Sequence, residues 1–450
     1  MTGTVKKAKS RNINMTAGSP VRLVVLFSIP LIFGNIFQQL YYITDAVIVG
    51  KYISIQALAA VNSCTWITWL LNAIARDFSN TLSILASYSV GEGDQEKVKK
   101  IVGNAGTITL LLSLFLLVFA ETNLDLFFRL FKVQAEVIQM TGEYFSIVLL
   151  GIPFVLIYNA AAALLRAEGN SQVTFHSVAV ATVINIVLDV LFIVHFGWGV
   201  KGGAAATVIA QFVSMVIALV PLLKSKMFTK DLSYWKLDVS LLKQMVSLWL
   251  PMFVNSAVIT IGGSYVSRNV NAIGPYFTAG ISSGTKIFTM LESLIMAIQT
   301  GLSVFIGQNL GAGLRERVRK GQHQVVLFSL VLSFFLNIVV QSLAPVLVGI
   351  FLSASDPLYA QTLHVAVADV RVITLGMFIM APMYLYRIAI QTLGHPKYPM
   401  YAGFLQLLAR VFSVSVLPMF IGEYGYYVAT ILAWIVTLPV VMIPYYKYLK

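Results

Sequence analysis

The chain consists of long apolar runs separated by short polar breaks, and this alternation occurs twelve times in 450 residues. A helix of about 20 apolar residues is long enough to cross the hydrocarbon core of a bilayer. The longest runs need a tilt, a kink or an interfacial end. We therefore predict an all-α integral membrane protein with twelve transmembrane helices. The predicted spans, with ends set to within several residues, are 21–50, 54–88, 101–122, 137–165, 173–196, 202–223, 243–270, 277–306, 322–352, 361–392, 397–420 and 425–447.

The composition excludes a water-soluble protein of this length. Hydrophobic residues make up 58% of the chain and charged residues 11%, whereas a soluble domain has roughly 25% charged residues. The first 20 residues are polar and basic and lack a small-residue cleavage pattern. We expect a cytoplasmic tail there and not a cleaved signal peptide. The single cysteine, Cys64, excludes an intramolecular disulfide and a cysteine-based metal cluster.

Lys and Arg residues are distributed unevenly between the two sides of the predicted membrane. The side of the N-terminus carries 22 of the 31, in the tail, in the breaks at 91–100, 224–243 and 315–320, and at helix ends that include Arg387. The other side carries five. The positive-inside rule then predicts that both termini are cytoplasmic. We therefore interpret the net charge of +13 as the charge that orients the chain in the membrane, and not as a nucleic-acid-binding surface. The expected location is the plasma (inner) membrane of a prokaryote.

Three short segments recur in the same order at nearly one offset. GEGDQEKVKK at 91–100 matches GAGLRERVRK at 311–320, and FSIP ending at Pro30 matches LWLP ending at Pro251. Farther on, GVKGGAAATVIA matches GEYGYYVATILA. The offsets are 220, 221 and 223 residues. The chain is therefore expected to have two related halves of six spans, and both halves enter the membrane in the same direction because six is even.

This repeat sets the expected domain organisation. We predict a tail at 1–20, a first lobe at 21–223, a cytoplasmic linker at 224–242 and a second lobe at 243–450. Two pseudo-symmetric six-helix bundles are typical of secondary transporters, which bind substrate between the repeats and expose it to each side in turn. A static scaffold of two halves is the alternative interpretation.

One apolar segment, INIVLDVLFI at 184–193, carries polar residues on one helical face. Asn185 and Asp189 are four positions apart, and Thr182 extends the stripe. A carboxylate at mid-bilayer costs about 2.5–3.5 kcal/mol and is a functional candidate by default. Thr207 lies across a short turn at a matching depth and is expected to face Asp189. These hard oxygen donors suit a hard cation, while the structural alternative is a protonated carboxyl that packs against Asn185.

The first span carries a second acidic residue. Asn35, Gln38, Tyr42 and Asp45 follow one another at steps of three, four and three residues. They share one helical face, which is expected to line a cavity and not the lipid. Pro30 lacks a backbone donor and permits a kink earlier in this helix. The alternative places Asp45 at the headgroup level, where it is simply solvated.

Four segments together resemble the multidrug and toxic compound extrusion (MATE) family of secondary transporters, and the resemblance covers nearly the whole chain. They are PLIFGNIFQQLYYITDAVIVG, ALLRAEGNSQ, NIVLDVLFIVHFGWGVKGGAAATVIAQ and GQNLGAG, in this order. The resemblance implies a twelve-helix fold of two six-helix lobes that exports cationic or amphipathic compounds in exchange for Na⁺ or H⁺. One branch of the family has a cation site in its N-terminal lobe. Its site residues and their neighbours fall here on Asp45, Asn185, Asp189 and Thr207, with Tyr144 and Asn159 nearby.

The second half does not repeat the acidic pattern of the first. Phe412 stands at the repeat position of the acid at 189, and the first span of this half has no acid where another branch of the family carries a Glu. We interpret the other intramembrane charges as ion pairs, in preference to a second ion site. These predicted pairs are Asp369 with Arg371, Glu292 with Lys286, and Arg76 with Asp77.

The functional hypothesis is a secondary active antiporter that exports cationic or amphipathic organic compounds in exchange for Na⁺ or H⁺. The sequence does not choose between the two ions. No cofactor is expected, because the glycine-rich breaks lack the phosphate-loop pattern and the five histidines show no metal-ligand spacing. We expect a monomer in the bilayer whose partners are small organic cations and not nucleic acid.

Two other functional classes were considered. A flippase for lipid-linked saccharides shares the two-lobe plan, but its cavity would be expected to be basic, whereas the first half carries intramembrane acids. A membrane-embedded enzyme would need acid/base or metal-binding residues clustered at the interface, and the loops here are short and poor in His and Asp.

Overall fold

The computed structural model describes residues 12–63, 65–130 and 133–449. Over these residues the regular structure is helical throughout. In the described part of the chain, ten helices are long and apolar enough to cross a membrane, and two bent pairs raise the number to twelve, which confirms the predicted fold class. The membrane helices are α1 (Pro20–Tyr52), α2 (Ile55–Ser63 and Thr65–Glu92), α3 (Gln95–Thr122), α4 (Ile138–Leu149 and Ile152–Ala167), α5 (Gln172–Asp189 and Val190–His195), α6 (Gly199–Leu223), α7 (Val239–Asn271), α8 (Pro275–Gly311), α9 (Arg315–Gly349), α10 (Tyr359–Leu375 and Met377–Thr392), α11 (Lys397–Val416) and α12 (Tyr424–Tyr448).

Helices α4 and α10 are broken, with bends of 43° and 49°. Each break carries a glycine against which a neighbouring helix packs closely. A Cβ atom at Gly151 would lie 3.1 Å from Cδ of Gln211 on α6, and one at Gly376 would lie 2.8 Å from the ring of Trp434 on α12. Both glycines and both neighbours are separated by nearly the repeat offset. The two lobes therefore break the corresponding helix in the same way.

The two lobes share core residues through their first helices. Val24 and Phe27 of α1 belong to the apolar core built around α8 and α10 of the second lobe. Met245 and Leu248 of α7 belong to the core built around α2, α3 and α4 of the first lobe. Each lobe therefore buries the first helix of the other, which joins the two bundles by apolar packing.

Helices α2 and α8 cross in backbone contact at the end of the bundle that carries the basic loops. A Cβ atom at Gly91 would lie 2.8 Å from Cα of Gln308, and one at Gly311 would lie 2.8 Å from the backbone nitrogen of Glu92. Real Cβ atoms essentially never come this close to backbone atoms. Only glycine fits at either position, so the repeated glycines close this end of the bundle.

The segment before α1 bridges the two lobes at the same end. The Ile13 amide donates to the carbonyl of Gly169 in the first lobe at 3.0 Å. The Met15 amide donates to Oε1 of Gln308 in the second lobe at 3.0 Å, and Nδ2 of Asn309 donates to the Met15 carbonyl at 2.9 Å. The Met15 side chain is fully buried. This segment is thus part of the closed basic end.

The segment between α6 and α7 packs on the start of α3. The Asp238 amide donates to Oδ1 of Asn104 at 2.8 Å, and the Asp238 carboxylate pairs with the ammonium of Lys100. A Cβ atom at Gly106 would lie 3.0 Å from Cη2 of Trp235. The segment predicted as a linker is therefore held against the first lobe by hydrogen bonds and by one aromatic ring.

Candidate ion-binding site

Asp189 and Asn185 lie on α5 and are fully buried. Neither carboxylate oxygen of Asp189 and neither amide atom of Asn185 has a hydrogen-bond partner among the described residues. Directly after Asp189 the helix changes to π-type hydrogen bonding over Val190–His195, a form that is frequent at functional sites. Buried polar groups are nearly always paired, so these four atoms without a protein partner make this part of α5 the candidate ion-binding position.

Helix α6 packs directly against Asp189. A Cβ atom at Gly203 would lie 3.9 Å from Oδ1 of Asp189, so a larger residue at this position would approach the carboxylate. Thr207, one turn farther along α6, is buried. Its hydroxyl is hydrogen-bonded to the hydroxyl of Tyr41 at 3.1 Å. Helices α5 and α6 are therefore neighbours, as expected, but the hydrogen-bond partner of the Thr207 hydroxyl is a residue of α1.

Tyr41 is the residue of this site that the sequence interpretation missed. The charges of both Asp45 and Asp189 act on its hydroxyl, so Tyr41 lies within electrostatic reach of both acids. The signal was available in the sequence, since Tyr41 precedes Asp45 by four residues and shares its helical face. The predicted stripe instead took Tyr42, three residues before Asp45, and left out Tyr41, four residues before it.

The predicted stripe of α1 runs from the second lobe to the acids of the first. Nδ2 of Asn35 donates to the carbonyl of Ser293 on α8 at 3.3 Å. Gln38 and Tyr42 are exposed, and Asp45 is partly buried and close enough for its charge to act on the carboxylate at 189. The stripe therefore begins where the lobes touch and ends beside the unpaired atoms of α5.

The remaining predicted residues lie around this centre. Pro30 is inside α1, which continues as one helix on both sides of it. Tyr144 is buried in the same apolar cluster as Ile193, which belongs to the π turn of α5. Asn159 is partly buried, and its amide nitrogen donates to the carbonyl of Val155 in its own helix at 2.8 Å.

The predicted ion pair between Asp369 and Arg371 is wrong. Nη2 of Arg371 donates to the carbonyl of Gln341 at 3.1 Å. Asp369 is buried against Gly284, whose Cβ position would lie 3.2 Å from Cγ of Asp369. Oδ2 of Asp369 has no partner in the described part of the chain. Residues two apart on a helix point to different sides, which is why this pair does not form.

The predicted pair between Glu292 and Lys286 is also wrong. The Lys286 ammonium lies 5.0 Å from the centre of an aromatic ring. Glu292 accepts a hydrogen bond from the hydroxyl of Tyr384, and the charges of Arg410 and Arg387 act on it. Arg387, which the sequence analysis assigned to the cytoplasmic side, therefore lies inside the second lobe.

Two interpretations of intramembrane charge agree with the structure. Nε of Arg76 lies 3.6 Å from Oδ1 of Asp77, which is an ion pair as predicted. Phe412, at the repeat position of Asp189, is 55% exposed and therefore forms no buried site. The unpaired carboxylate with its buried amide neighbour on α5 has no counterpart at this position.

Comparison with known proteins identifies the family. The MatE family profile matches residues 30–191 and 251–415, once in each half of the repeat. The probable multidrug resistance protein YoeA of Bacillus subtilis is 28% identical over 75% of each chain. The probable multidrug resistance protein NorM of Thermotoga maritima is 21% identical over 89% of this chain and 88% of its own.

A solved structure shows the same fold. It is described as the outward-facing conformation of a multidrug resistance MATE family transporter. The TM-score is 0.88 at 19% identity, with 98% of this chain and 99% of that chain covered. Together with the family profile over both halves, this confirms the resemblance seen in the sequence. The chain belongs to the MATE (MatE) family and is a membrane transporter, not an enzyme.

Proposed function

We propose that the chain is a secondary active antiporter that exports cationic or amphipathic organic compounds in exchange for Na⁺ or H⁺ by alternating access. The observation that carries this proposal is the set of four buried atoms of Asn185 and Asp189 without a protein partner. An incoming proton or Na⁺ supplies the positive partner that the carboxylate lacks. The names of the relatives, which are multidrug resistance proteins, support small organic compounds as the exported cargo.

The arrangement around Asp189 suits a small hard cation. Its carboxylate, the amide oxygen of Asn185 and the hydroxyl of Thr207 are oxygen donors, which Na⁺ prefers over nitrogen or sulfur. Asp45 adds a second carboxylate whose charge acts on Asp189. Two such charges repel each other strongly in a low-dielectric interior. A bound proton or Na⁺ relieves this repulsion and favours closer packing of α1 on α5.

Helix α1 connects this ion site to the second lobe. One part of α1 carries Asp45, and another part places Val24 and Phe27 in the core of the second lobe. A change in the packing of α1 on the first lobe is therefore transmitted to the contact between lobes. One elementary charge that moves inward down a potential of 100 mV releases about 2.3 kcal/mol. For an exported compound without net charge, this is sufficient for a roughly fiftyfold gradient. A monocationic compound exchanged one for one moves no net charge, so its export is driven by the concentration gradient of the ion.

The state of the lobes fits one step of such a cycle. The lobes are in contact at the end that carries the basic loops, through Gly91 and Gly311. Under the orientation that the positive-inside rule predicts, this end is cytoplasmic and the structure corresponds to the state that releases cargo outside. We further propose a plasma-membrane protein of a prokaryote with both termini in the cytoplasm, acting as a monomer without a cofactor. The relatives' names do not favour the alternative of a flippase for lipid-linked saccharides.

Transport by the purified chain in proteoliposomes tests the proposal. A fluorescent organic cation is offered under a Na⁺ gradient and, separately, under a pH gradient. We expect one gradient to drive accumulation and Asp189→Asn to abolish it. Two controls should retain transport: Glu143→Gln, which removes a surface carboxylate 3.5 Å from Lys201, and Asp369→Asn, which removes the buried acid of the second lobe. Full activity in Asp189→Asn at normal membrane levels would exclude the site.

A further inference from the structure

Four polar side chains of the second lobe meet where the sequence predicted one simple ion pair. The Tyr384 hydroxyl donates to Oε1 of Glu292, and the Arg387 guanidinium lies 5.2 Å from the centre of the Tyr384 ring. Arg410, on α11, donates from Nη1 to the carbonyl of Ile259 on α7 at 3.0 Å. Three helices, α8, α10 and α11, thus contribute side chains to one polar centre, which we call the arginine cluster (Glu292, Tyr384, Arg387 and Arg410).

The arginine cluster has an excess of positive charge. Both guanidinium charges act on Glu292, and they also act on each other. Neither arginine belongs to an ion pair within 4.0 Å in the described part of the chain. Nε of Arg387 and Nε of Arg410 are buried and have no hydrogen-bond partner there. One carboxylate cannot neutralise two guanidinium groups, so donors remain unused inside the lobe.

The cluster lies halfway along the membrane-spanning helix α8, next in sequence to a residue that contacts the first lobe. Glu292 is near the middle of the 37-residue helix α8, and the next residue, Ser293, accepts the hydrogen bond from Asn35 of the first lobe. The four residues of the cluster are only partly buried, so part of each residue's surface is accessible. A Cβ atom at Gly263 would lie 4.0 Å from Nη1 of Arg410, so the wall beside this guanidinium consists of backbone.

A cluster with a purely structural role does not need an excess of positive charge or unpaired guanidinium donors. An intramembrane guanidinium costs about 2.5–3.5 kcal/mol on insertion scales and marks a functional position by default. Guanidinium groups recognise carboxylate and phosphate groups with two parallel hydrogen bonds. The two lobes thus present opposite charges, with Asp45 and Asp189 in the first and Arg387 and Arg410 in the second.

We propose that Arg387 and Arg410 bind an anionic group, a carboxylate or a phosphate, of the amphipathic molecule that is transported. The inference rests on the proposed function in that the bound molecule is the cargo. In the absence of cargo, the Glu292 carboxylate interacts with the two guanidinium charges. It therefore competes with the incoming anion for them. The site therefore selects amphipathic molecules with an anionic group, including zwitterions, over simple organic cations.

Equilibrium binding to the purified full chain in phosphatidylcholine nanodiscs tests this proposal without any ion gradient. Fluorescein and rhodamine 6G share a ring system and differ in charge, and their binding is measured by fluorescence anisotropy. We expect Arg387→Gln and Arg410→Gln each to weaken fluorescein binding by about tenfold or more and to leave rhodamine 6G binding unchanged. Glu292→Gln should tighten fluorescein binding, because a competing negative charge is removed.

Matched variants separate recognition from a structural effect. Arg371→Gln removes another guanidinium of the same lobe, one that donates to the Gln341 carbonyl, and should leave fluorescein binding unchanged. Arg387→Lys keeps the charge and replaces Arg387→Gln if that variant does not fold; it should weaken binding less. Equal fluorescein binding in the wild type and both Gln variants would overturn the proposal, as would a loss in Glu292→Gln equal to that in Arg387→Gln.

Two competition experiments identify the source of the anionic group. Nanodiscs that contain phosphatidylglycerol reduce fluorescein binding if a lipid headgroup occupies the site, and inorganic phosphate alone reduces it if a free anion does. Either reduction supports the arginine cluster as the binding site if it is absent in Arg387→Gln, and a reduction that persists in Arg387→Gln counts against it. Because binding is measured without a gradient, a failure of ion-driven transport would count against the proposed antiport and not against this site.

Discussion

Replacing Gly91 by alanine adds one carbon atom where α2 crosses α8. That atom would lie 2.8 Å from Cα of Gln308, whereas carbon atoms in contact are about 3.5–4.0 Å apart. The two helices must therefore separate by about 1 Å. The conflict is with the backbone of α8, so no side-chain rotation relieves it.

The same separation weakens the bridge formed by the segment before α1. Two hydrogen bonds join this segment and α8 to the first lobe: the Ile13 amide lies 3.0 Å from the carbonyl oxygen of Gly169, and Nε2 of Gln308 lies 2.8 Å from the carbonyl oxygen of Ala167. At about 4 Å neither contact is a hydrogen bond. Two lost hydrogen bonds at about 1 kcal/mol each amount to about 2 kcal/mol. The equilibrium between closed and open basic ends should then shift roughly thirtyfold towards the open form.

Hydrogen–deuterium exchange mass spectrometry measures this shift directly. The Ile13 amide is bonded to the first lobe only while the basic end is closed, so it should exchange roughly thirtyfold faster in Gly91→Ala than in the wild type. Gly142→Ala is the control, because its new carbon would lie 3.7 Å from the ring of Phe128, an ordinary contact. Unchanged exchange at Ile13 in Gly91→Ala would show that this crossing does not hold the lobes together.

Three further expectations concern the ion site and the linker. Na⁺ at 100 times its dissociation constant should stabilise the wild type by about 2.7 kcal/mol and should not stabilise Asp189→Asn. Thermal unfolding with and without Na⁺ measures this difference. Equal stabilisation of the two proteins would show that Na⁺ does not bind at this site. Tyr41→Phe, which removes the hydrogen bond to Thr207, should weaken the driving ion's apparent affinity several-fold without changing expression, as measured by the ion dependence of transport; an unaltered dependence would place Tyr41 outside the ion site. The hydrogen bond from Lys100 and those from backbone amides hold the pKa of Asp238 below its usual 3.8. The contribution of this carboxylate to docking of the linker should therefore be fully present above about pH 4 and be lost as the pH falls through the lowered pKa. Hydrogen exchange of the linker as a function of pH, with Asp238→Asn as the comparison, measures this change, and identical profiles in the two proteins would contradict it.

Several features of the fold and the site followed from local properties of the sequence. The twelve spans could be predicted because the length of apolar helix that crosses a bilayer is set by the bilayer. Asn185 and Asp189 could be placed on one face because their four-residue spacing is close to one helical turn. The paired breaks at Gly151 and Gly376 were not predicted, because they depend on how closely α6 and α12 pack against those glycines.

The partners of the charged residues in the second lobe could not be predicted from their spacing in the sequence. Asp369 and Arg371 are near in sequence but point to different sides of one helix, and the actual neighbours of Glu292 come from α10 and α11. A charged group in a low-dielectric interior interacts most strongly with the nearest opposite charge or donor. Which group is nearest depends on the rotation of each helix about its axis, and a single sequence does not contain that rotation.

The sequence alone determined that this chain spans the membrane twelve times, that its halves are related, and that a carboxylate and an amide share one face in the first half. These properties depend on hydrophobic length and helical period, which are the same in any surroundings. The tertiary structure decided that the Tyr41 hydroxyl bonds Thr207, that Gly91 touches α8, and that the charges of two arginines act on Glu292. These contacts depend on the side-chain packing that fixes the rotation and spacing of the helices.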